Sequence, residues 1–402
     1  MAATIADRNP DAVGVTCLTA YYHETVALCR ALQKYQIPII LGGPHPTFLP
    51  KSTLEDTGAD FVVCGEGEIA LVKLVRRGFR HSRIPGVYAL GDLNDNIAPV
   101  LADSPENLDD LPFPDWPKMP PAAYPKAPHG AIAKRYPVGL VMTSRGCGGR
   151  CSFCAAPALY GRKVRFRSGA SVADEIRWQV RHFRVKEIQI EDDNFAVSQD
   201  HAEAICAAIS ALPEKVPWTC PSGLRADCVD ERMLRFMKQA GCYMVAFGVE
   251  SSSNDILARA GKQETIEQMT AAIRLADDAG LITFGYFVFG LPGETEDTIA
   301  ETIRFASQSK LKRAQFLVLD VLPGSRLWQE LSFRPDWRKE SFVDPEWVPP
   351  GLSAELLRSA QRKAFWKFYS HPARLAGLAA RLHPGQFKSV LQRLSSFRLL
   401  PG

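Results

Sequence analysis

The stretch Thr143-Ser-Arg-Gly-Cys-Gly-Gly-Arg-Cys-Ser-Phe-Cys154 places three cysteines, Cys147, Cys151 and Cys154, within eight residues of a 402-residue chain. This CxxxCxxC spacing allows one tight loop to bind three irons of a cubane [4Fe–4S] cluster through thiolates. A fourth thiolate would saturate the cluster, whereas three leave one iron open for a substrate or cofactor. The pattern therefore predicts an iron–sulfur site that takes part in catalysis and does more than carry electrons.

Two other interpretations of these cysteines remain open. A structural zinc site uses four tetrahedral ligands, commonly from two CxxC pairs, and no second pair follows Cys154. Reactive or buried structural thiols are the other alternative. The remaining cysteines show no metal-ligand spacing and are expected to pack as small apolar side chains: Cys17, Cys29, Cys64, Cys206, Cys220, Cys228 and Cys242.

The cysteine motif resembles the signature of the radical S-adenosylmethionine (SAM) superfamily, in which an aromatic residue, here Phe153, precedes the third cysteine. The resemblance implies that the open iron binds the amino and carboxylate groups of SAM. An electron from the cluster then breaks the sulfonium C–S bond and yields a 5′-deoxyadenosyl radical. It also implies an external one-electron donor of the flavodoxin or ferredoxin type.

Residues 1–90 are predicted to form a shortened Rossmann-like domain with a parallel sheet, because apolar strands alternate with helices from about residue 12. Ligands of such sheets bind beyond the carboxyl ends of the strands. The turns there resemble the cobalamin-binding domain that precedes the radical core in one branch of the superfamily. The candidate cobalamin contacts are Thr16, Leu18, Gly42, Gly43, His45 and Glu66. A shortened domain without ligand is the alternative, and loop packing is the alternative for His45.

Residues 138–335 are predicted to form a partial (βα)6 TIM-type barrel, the radical SAM core by resemblance. The predicted strands are 139–143, 187–191, 218–221, 244–249, 282–289 and 314–321, and helical patterns fill the gaps between them. A proline-rich linker spans 91–137, with ten prolines between Pro99 and Pro137. The fold class is thus α/β, with a helical, basic extension over 336–402.

Polar residues follow the barrel strands and are candidates for SAM contacts, since barrel enzymes bind ligands at this mouth. By resemblance, Asp192 contacts the SAM ammonium, Arg225 its carboxylate and Glu250 its ribose. Helix capping for Asp192 and a salt bridge between Arg225 and Glu250 are the alternatives. The remaining candidate contacts are Phe153, Ser222, Gly290 and Gly293, and a plain turn is the alternative for the two glycines.

Composition limits the class of protein. A net charge of +4 does not by itself indicate a nucleic-acid partner. The sequence contains no apolar run of 18 residues, so it predicts no membrane-spanning helix. The N-terminus lacks the features of a signal peptide, and ten cysteines without one indicate a reducing cytoplasm. The basic helical pattern over 353–402 predicts either a contact with a membrane surface or a helix packed on the barrel.

The sequence therefore predicts an enzyme that acts on a small molecule with a [4Fe–4S] cluster, SAM and cobalamin. Cobalamin-dependent methyl transfer is the expected reaction by resemblance. A radical cyclisation or rearrangement with a vestigial first domain is the alternative among enzymes. A sensor module is the alternative outside enzymes. A methylthiotransferase with a second cluster on Cys17, Cys29 and Cys64 is disfavoured, because Cys29 falls within a predicted helix.

Overall fold

The computed structural model describes residues 1–94, 99–124, 133–331, 335–338 and 345–379. These residues divide into two compact units. Unit 1 contains Met1–Glu106, Ser152–Gly161 and Asp320–Glu346, and unit 2 contains Asn107–Cys151, Arg162–Leu319 and Trp347–Gly402. The ranges differ from the contiguous ones expected from sequence, because 91–106 and 320–335 group with the N-terminal residues. The domain boundaries 1–90, 91–137, 138–335 and 336–402 stay a prediction.

The strands are, in chain order, Val13–Thr16 (β1), Ile39–Gly42 (β2), Phe61–Val63 (β3), Val87–Tyr88 (β4), Val138–Val141 (β5), Ser144–Arg145 (β6), Arg165–Phe166 (β7), Glu187–Ile190 (β8), Trp218–Leu224 (β9), Cys242–Glu250 (β10), Ile282–Phe289 (β11) and Arg313–Val318 (β12).

The helices are, in the same order, Ala2–Ala6 (α1), Tyr22–Gln33 (α2), Pro44–Phe48 (α3), Pro50–Thr57 (α4), Gly67–Arg76 (α5), Ala156–Tyr160 (α6), Gly169–Phe183 (α7), Gln199–Ala211 (α8), Glu231–Gln239 (α9), Asn254–Arg259 (α10), Ile266–Asp278 (α11), Glu296–Gln308 (α12), Arg326–Glu330 (α13), Ala354–Tyr369 (α14) and Pro372–Ala379 (α15). None of the helices in the described part of the chain is both long and apolar enough to cross a membrane.

Unit 1 is built on a sheet of order β1-β2-β3-β4. Its first three strands are parallel, as predicted, and β4 is an added antiparallel strand. Leu41 and Val62 are buried at the centre of the sheet, and Cys29 and Leu32 of α2 belong to the same apolar cluster. Burial of these apolar side chains on both sides is why the strands contain almost no polar residues.

Unit 2 is built on a sheet of order β12-β11-β10-β9-β8-β5, in which every neighbouring pair is parallel. Sequential parallel strands joined by helices form the (βα)6 part-barrel that the sequence predicted. A continuous core joins helix-facing side chains such as Ile190, Phe247 and Phe287 to apolar residues of the covering helices. All strands run in one direction, so their carboxyl ends lie at one mouth.

Both edge strands of this open barrel are covered, which prevents them from pairing with another chain. At β12, the hydroxyl of Tyr369 donates to the Ala314 carbonyl at 2.9 Å and accepts from its N–H at 3.1 Å. At β5, the Gln179 amide donates to the Leu140 carbonyl at 3.0 Å. Gly139 gives Gln179 room, because a Cβ at Gly139 would lie 2.2 Å from Gln179 Oε1.

The packing of α14 agrees with the second of the two interpretations of its basic pattern, a helix packed on the barrel. Its apolar face, which a membrane would need, is buried in the barrel core through Leu357, Ala364 and Phe368. The remainder of the predicted basic extension, 380–402, lies outside the described residues, as do 95–98 and 125–132 of the predicted linker and 339–344 of the predicted extension.

Candidate active site

The loop that carries Cys147 and Cys151 begins just after β5, at the barrel mouth. Antiparallel pairing of β6 with β7 joins its two ends. The backbone of Gly146 has φ +97°, a conformation that glycine adopts without strain, and a Cβ there would lie 3.3 Å from the Lys163 carbonyl. The glycine therefore allows the chain to turn tightly where the cysteine motif starts.

Carboxylates from the end of β8 fasten this loop. Asp192 accepts hydrogen bonds from the Thr143 N–H and hydroxyl, both at 2.5 Å, and from the Ser144 hydroxyl at 2.8 Å. Asp193 accepts from the Gly146 N–H at 3.0 Å. Burial raises the pKa of Asp192 to about 6, although the hydrogen bonds from Thr143 and Ser144 act in the opposite direction.

This geometry gives Asp192 a structural role. Its side chain is buried, and its carboxylate oxygens accept hydrogen bonds from Thr143 and Ser144. Asp192 thus holds the cysteine loop on the barrel, and its contact with the SAM ammonium stays a prediction. The capping alternative does not apply to Asp192, because the next α-helix, α8, is capped by Ser198.

The three motif cysteines are half-buried and form no disulfide. Burial raises the pKa of the Cys147 thiol, while the Gly149 N–H and the Arg225 cation act in the opposite direction. Among the described residues, no group of three Cys, His, Asp or Glu side chains converges on a point where one metal ion would bind. A cubane binds each thiolate through a different iron, so its ligands do not converge in this way, and the donor set is the one that iron–sulfur clusters use.

Behind the cysteine loop, unit 2 contains a chain of alternating charges, defined here as the charge network of Arg225, Glu250, Lys262 and Glu264. Lys262 Nζ lies 3.2 Å from Glu250 Oε1 and 3.5 Å from Glu264 Oε2. Arg225 Nη1 lies 3.7 Å from Glu264 Oε2. Glu264 also accepts from the Ala226 N–H at 2.6 Å, which anchors the network to the end of β9.

Two of the predicted SAM residues, Arg225 and Glu250, are therefore brought together through two residues that the sequence prediction missed. The direct salt bridge considered for them is replaced by the pair Lys262 and Glu264. Glu250 has φ +62°, unusual for a residue with a Cβ, and follows a bulge in β10. Gly248 leaves room for the Glu250 side chain, because a Cβ at Gly248 would lie 2.5 Å from Glu250 Oε1.

Arg225 is held firmly at the same mouth. Its guanidinium donates to both carboxylate oxygens of Asp227, at 3.0 and 2.6 Å, in a bidentate arrangement. Its Nη1 atom would lie 3.5 Å from a Cβ placed on Gly149, between Cys147 and Cys151. The arginine thus lies directly beside the loop that carries the first two cysteines.

Other predicted contacts lie at the ends of further strands. Ser222 is exposed and donates to Glu191 at 2.9 Å. Gly290 and Gly293 have φ +94° and +85°, and the turn they form is fixed by Glu294, which accepts from the Gly290 N–H at 2.6 Å. Burial raises the pKa of Glu294 to about 7. Turn geometry thus accounts for both glycines, and their contact with adenine stays a prediction, as does the contact of the half-buried Phe153 with SAM.

The predicted cobalamin residues of unit 1 fall into two groups. Thr16 and Leu18 are exposed at the end of β1, and Gly42 has no atom within 4 Å of a Cβ position, so this edge is open. Gly43, with φ +100°, is in close contact with the backbone of Cys17. An open strand-end edge with glycines fits a large planar ring. Glu66, in contrast, is buried where α5 begins.

His45, a candidate cobalamin contact with loop packing as its alternative, is buried. Its ring stacks on Tyr22 at 4.0 Å between centroids, has Trp337 at its edge at 6.0 Å, and its Nδ1 lies 3.1 Å from the Thr19 hydroxyl. Burial lowers the pKa of His45 to about 4. Burial of the ring, its stacking on Tyr22 and its contact with Thr19 favour the loop-packing alternative.

Known protein families match both units. A family model of the radical SAM superfamily matches residues 141–306, and a model of the B12 binding domain matches residues 1–75. An uncharacterized methyltransferase of Pyrococcus horikoshii is 31% identical over 386 residues, which cover 92% of this chain and 81% of the relative. The anaerobic magnesium-protoporphyrin IX monomethyl ester cyclase of Cereibacter sphaeroides is 27% identical over 98% of this chain and 66% of its own length.

A solved structure supports the same fold. The radical S-adenosylmethionine methyltransferase TsrM of Kitasatospora setae, with cobalamin and a [4Fe–4S] cluster bound, superimposes with a TM-score of 0.69 over 90% of this chain and 79% of TsrM, at 19% identity. The cysteine loop at the mouth of the part-barrel and the open strand-end edge of unit 1 agree with these matches. The chain belongs to the radical SAM superfamily, in the branch with an N-terminal B12-binding domain, and is an enzyme that uses a [4Fe–4S] cluster and SAM.

Proposed function

We propose that this enzyme is a cobalamin-dependent methyltransferase acting on a small molecule. The observation that carries the proposal is the presence, in one chain, of a CxxxCxxC loop at a part-barrel mouth and a B12-binding domain match over residues 1–75. The relative from P. horikoshii is itself named a methyltransferase. When bound, the cluster supplies the electron that cleaves SAM, and cobalamin supplies a carrier for the methyl group.

Different residues of the barrel mouth are suited to binding the cluster and the different groups of SAM. We assign the cluster to Cys147, Cys151 and Cys154, whose thiolates are its usual ligands. Arg225 lies beside the loop and is suited to a carboxylate such as that of SAM. Glu250 presents its carboxylate at the end of β10, where it is suited to hydroxyl donors such as those of a ribose.

In unit 1, the open edge formed by Thr16, Leu18, Gly42 and Gly43 is the proposed cobalamin face. Its exposed side chains and glycines leave space for the corrin ring, and the burial of His45 supports binding without a histidine ligand. The buried Glu66 is proposed to act through the backbone of the turn before α5.

The electron donor is proposed to be an acidic one-electron carrier of the flavodoxin or ferredoxin type. Arg150, Arg162 and Lys163 are exposed cations of the cysteine-loop region, and complementary charge speeds the encounter of such partners. Replacement of Arg162 and Lys163 by glutamate should slow SAM cleavage with a protein donor and leave dithionite-driven cleavage unchanged. Arg181→Glu on α7 is the control, and equal losses with both reductants would contradict this partner.

The ten cysteines, all among the described residues, form no disulfide, which supports a reducing compartment, and we propose that the enzyme works in the cytoplasm. Fractionation of cells that express the tagged chain would test this, and recovery of the protein in a secreted fraction would contradict it.

A radical cyclase or rearrangement enzyme is the second candidate. One observation favours it, the 98% coverage of this chain by the match to the magnesium-protoporphyrin cyclase. Such an enzyme needs no methyl transfer to cobalamin, so the fate of the SAM methyl group separates the two candidates.

The experiment uses the whole chain, reconstituted anaerobically with iron and sulfide. The loaded protein should contain about four irons, release 5′-deoxyadenosine from SAM when reduced, and bind cobalamin with a change in absorbance. Methyl-labelled SAM should then label the bound cobalamin. Cys151→Ala should lose the cluster and SAM cleavage together, whereas Cys206→Ala, a buried cysteine of α8, should keep both. SAM cleavage with neither cobalamin binding nor labelling would overturn methyl transfer and favour the second candidate.

A further inference from the structure

The charge network of unit 2 contains a cation whose position has no obvious structural purpose. Lys262 is only 6% exposed and lies in the turn between α10 and α11, where a lysine would ordinarily reach solvent. Glu250 and Glu264 both lie within 3.5 Å of its ammonium. Buried ion pairs seldom add net stability, because desolvation of the charges offsets their attraction.

The location of Lys262 relative to the cysteines suggests another purpose. Lys262 Nζ lies 3.5 Å from Glu264 Oε2, and Arg225 Nη1 lies 3.7 Å from the same oxygen. Arg225 Nη1 would in turn lie 3.5 Å from a Cβ on Gly149, between Cys147 and Cys151, so the network reaches the cysteine loop. Despite burial, the two glutamates and Cys151 raise the pKa of Lys262, so the side chain stays protonated. Both cations of the network therefore lie close to the loop that binds the cluster, in a setting where water screens charges weakly.

A fixed positive charge favours the addition of an electron to a nearby group. The potentials of iron–sulfur clusters depend on net charge, hydrogen bonding and solvent exposure around them. Reduction of the cluster adds one electron from the donor, and no proton is released or consumed. A cation nearby stabilises the reduced form, and an anion nearby opposes it.

We propose that Lys262 is a positioning residue that raises the reduction potential of the cluster, and that Glu264 opposes it while holding it in place. Glu250 fixes the other side of the ammonium. The inference rests on the cluster assigned to the three cysteines and does not depend on methyl transfer or cobalamin.

The test is a redox titration of the reconstituted chain followed by EPR, without SAM, substrate or cobalamin. Lys262→Met should lower the ratio of reduced to oxidised cluster at a fixed potential by about tenfold, which for one electron corresponds to about 59 mV. Glu264→Gln should move the potential in the opposite direction, and its amide oxygen can still accept from the Ala226 N–H. Lys262→Arg keeps the charge and should restore the potential.

Controls separate charge from damage to the fold. Lys312→Met makes the same chemical change at the start of β12, at the end of the barrel opposite the cysteine loop, and should leave the potential unchanged.

General loosening of the site would shift the reduction potentials of Lys262→Met and Glu264→Gln in the same direction, and this result would overturn the proposal. Unchanged potentials in loaded Lys262→Met and Glu264→Gln proteins would overturn it too. If Lys262→Met fails to fold, the direction in which Glu264→Gln shifts the reduction potential is by itself the test of the proposal. Failure of methyl labelling with these shifts intact would count against the proposed reaction only.

Discussion

Asp192 accepts two hydrogen bonds of 2.5 Å from Thr143, one from its N–H and one from its hydroxyl, and so ties the end of β8 to the segment that enters the cysteine loop. Thr143 is also within 3.0 Å of His201 Nε2 on α8. A loop that must hold an inorganic cluster needs such support, because binding residues have to be kept in one geometry by the groups around them.

Asp192→Asn should destabilise unit 2, because an amide nitrogen cannot accept the hydrogen bonds that one carboxylate oxygen accepts. Loss of acceptors in a buried site costs about 1–3 kcal/mol in the free energy of unfolding. Denaturant unfolding of the iron-free protein would measure this cost. Asp174→Asn, at an exposed position on α7, should change stability by less than about 1 kcal/mol. Equal stability of the two variants would contradict the role assigned to Asp192.

Gly248→Ala should weaken SAM binding without unfolding the barrel. A Cβ at Gly248 would lie 2.5 Å from Glu250 Oε1 and 3.0 Å from Lys262 Nζ, so this pair must shift. We expect the KM for SAM to rise about tenfold, equivalent to about 1.4 kcal/mol of lost binding. Gly14→Ala is the matched control, since no atom lies within 4 Å of its Cβ position. An unchanged KM in the Gly248 variant would show that Glu250 does not contact SAM.

His45 should make the stability of unit 1 depend on pH. Its pKa is lowered by burial from 6.5 to about 4, so below pH 6.5 the unfolded chain binds a proton that the folded chain excludes. The free energy of unfolding therefore falls as the pH is lowered from about 6.5 to about 4, by about 3 kcal/mol in total.

Amide hydrogen exchange in β2 and α2 would measure this loss locally, which matters because a chain with two units does not unfold in one step. His45→Gln carries no titrating group at this position. The difference in the free energy of unfolding between wild type and variant should therefore change across this pH range. The variant should also keep cobalamin affinity. Loss of cobalamin binding in an otherwise folded variant would restore the cobalt-ligand interpretation.

Tyr369→Phe should expose the edge of β12. The variant loses both hydrogen bonds to Ala314, whose N–H and carbonyl have no strand neighbour on that side. We expect a loss of about 1–3 kcal/mol in the free energy of unfolding and more aggregation on heating. Tyr21→Phe, at a side chain 60% exposed, is the control. Equal thermal unfolding of the two variants would refute the proposed edge cover.

Sequence patterns predicted several elements closely. The bounds of β11, Ile282–Phe289, match the predicted strand 282–289, and the helix α9, Glu231–Gln239, fills a gap between predicted strands as expected. For α9, the Asp230 side chain accepts from the Met233 N–H and marks the start. The helices α3 and α4, which begin at Pro44 and Pro50, were not predicted, although proline is well tolerated in the first turn of a helix.

The amino-acid sequence by itself determined the cysteine loop, the alternation of strands and helices, and the order of the two domains. These features depend on residues that lie close together in the sequence, so a local sequence pattern is enough to predict them. Only the tertiary structure decided which charges meet behind the loop. Lys262 comes twelve residues after Glu250, in a turn with no motif, and reaches Glu250 and Glu264 only because adjacent parallel strands end at the same mouth. The same convergence brings Asp192 to Thr143, because β8 and β5 are neighbouring parallel strands that end side by side.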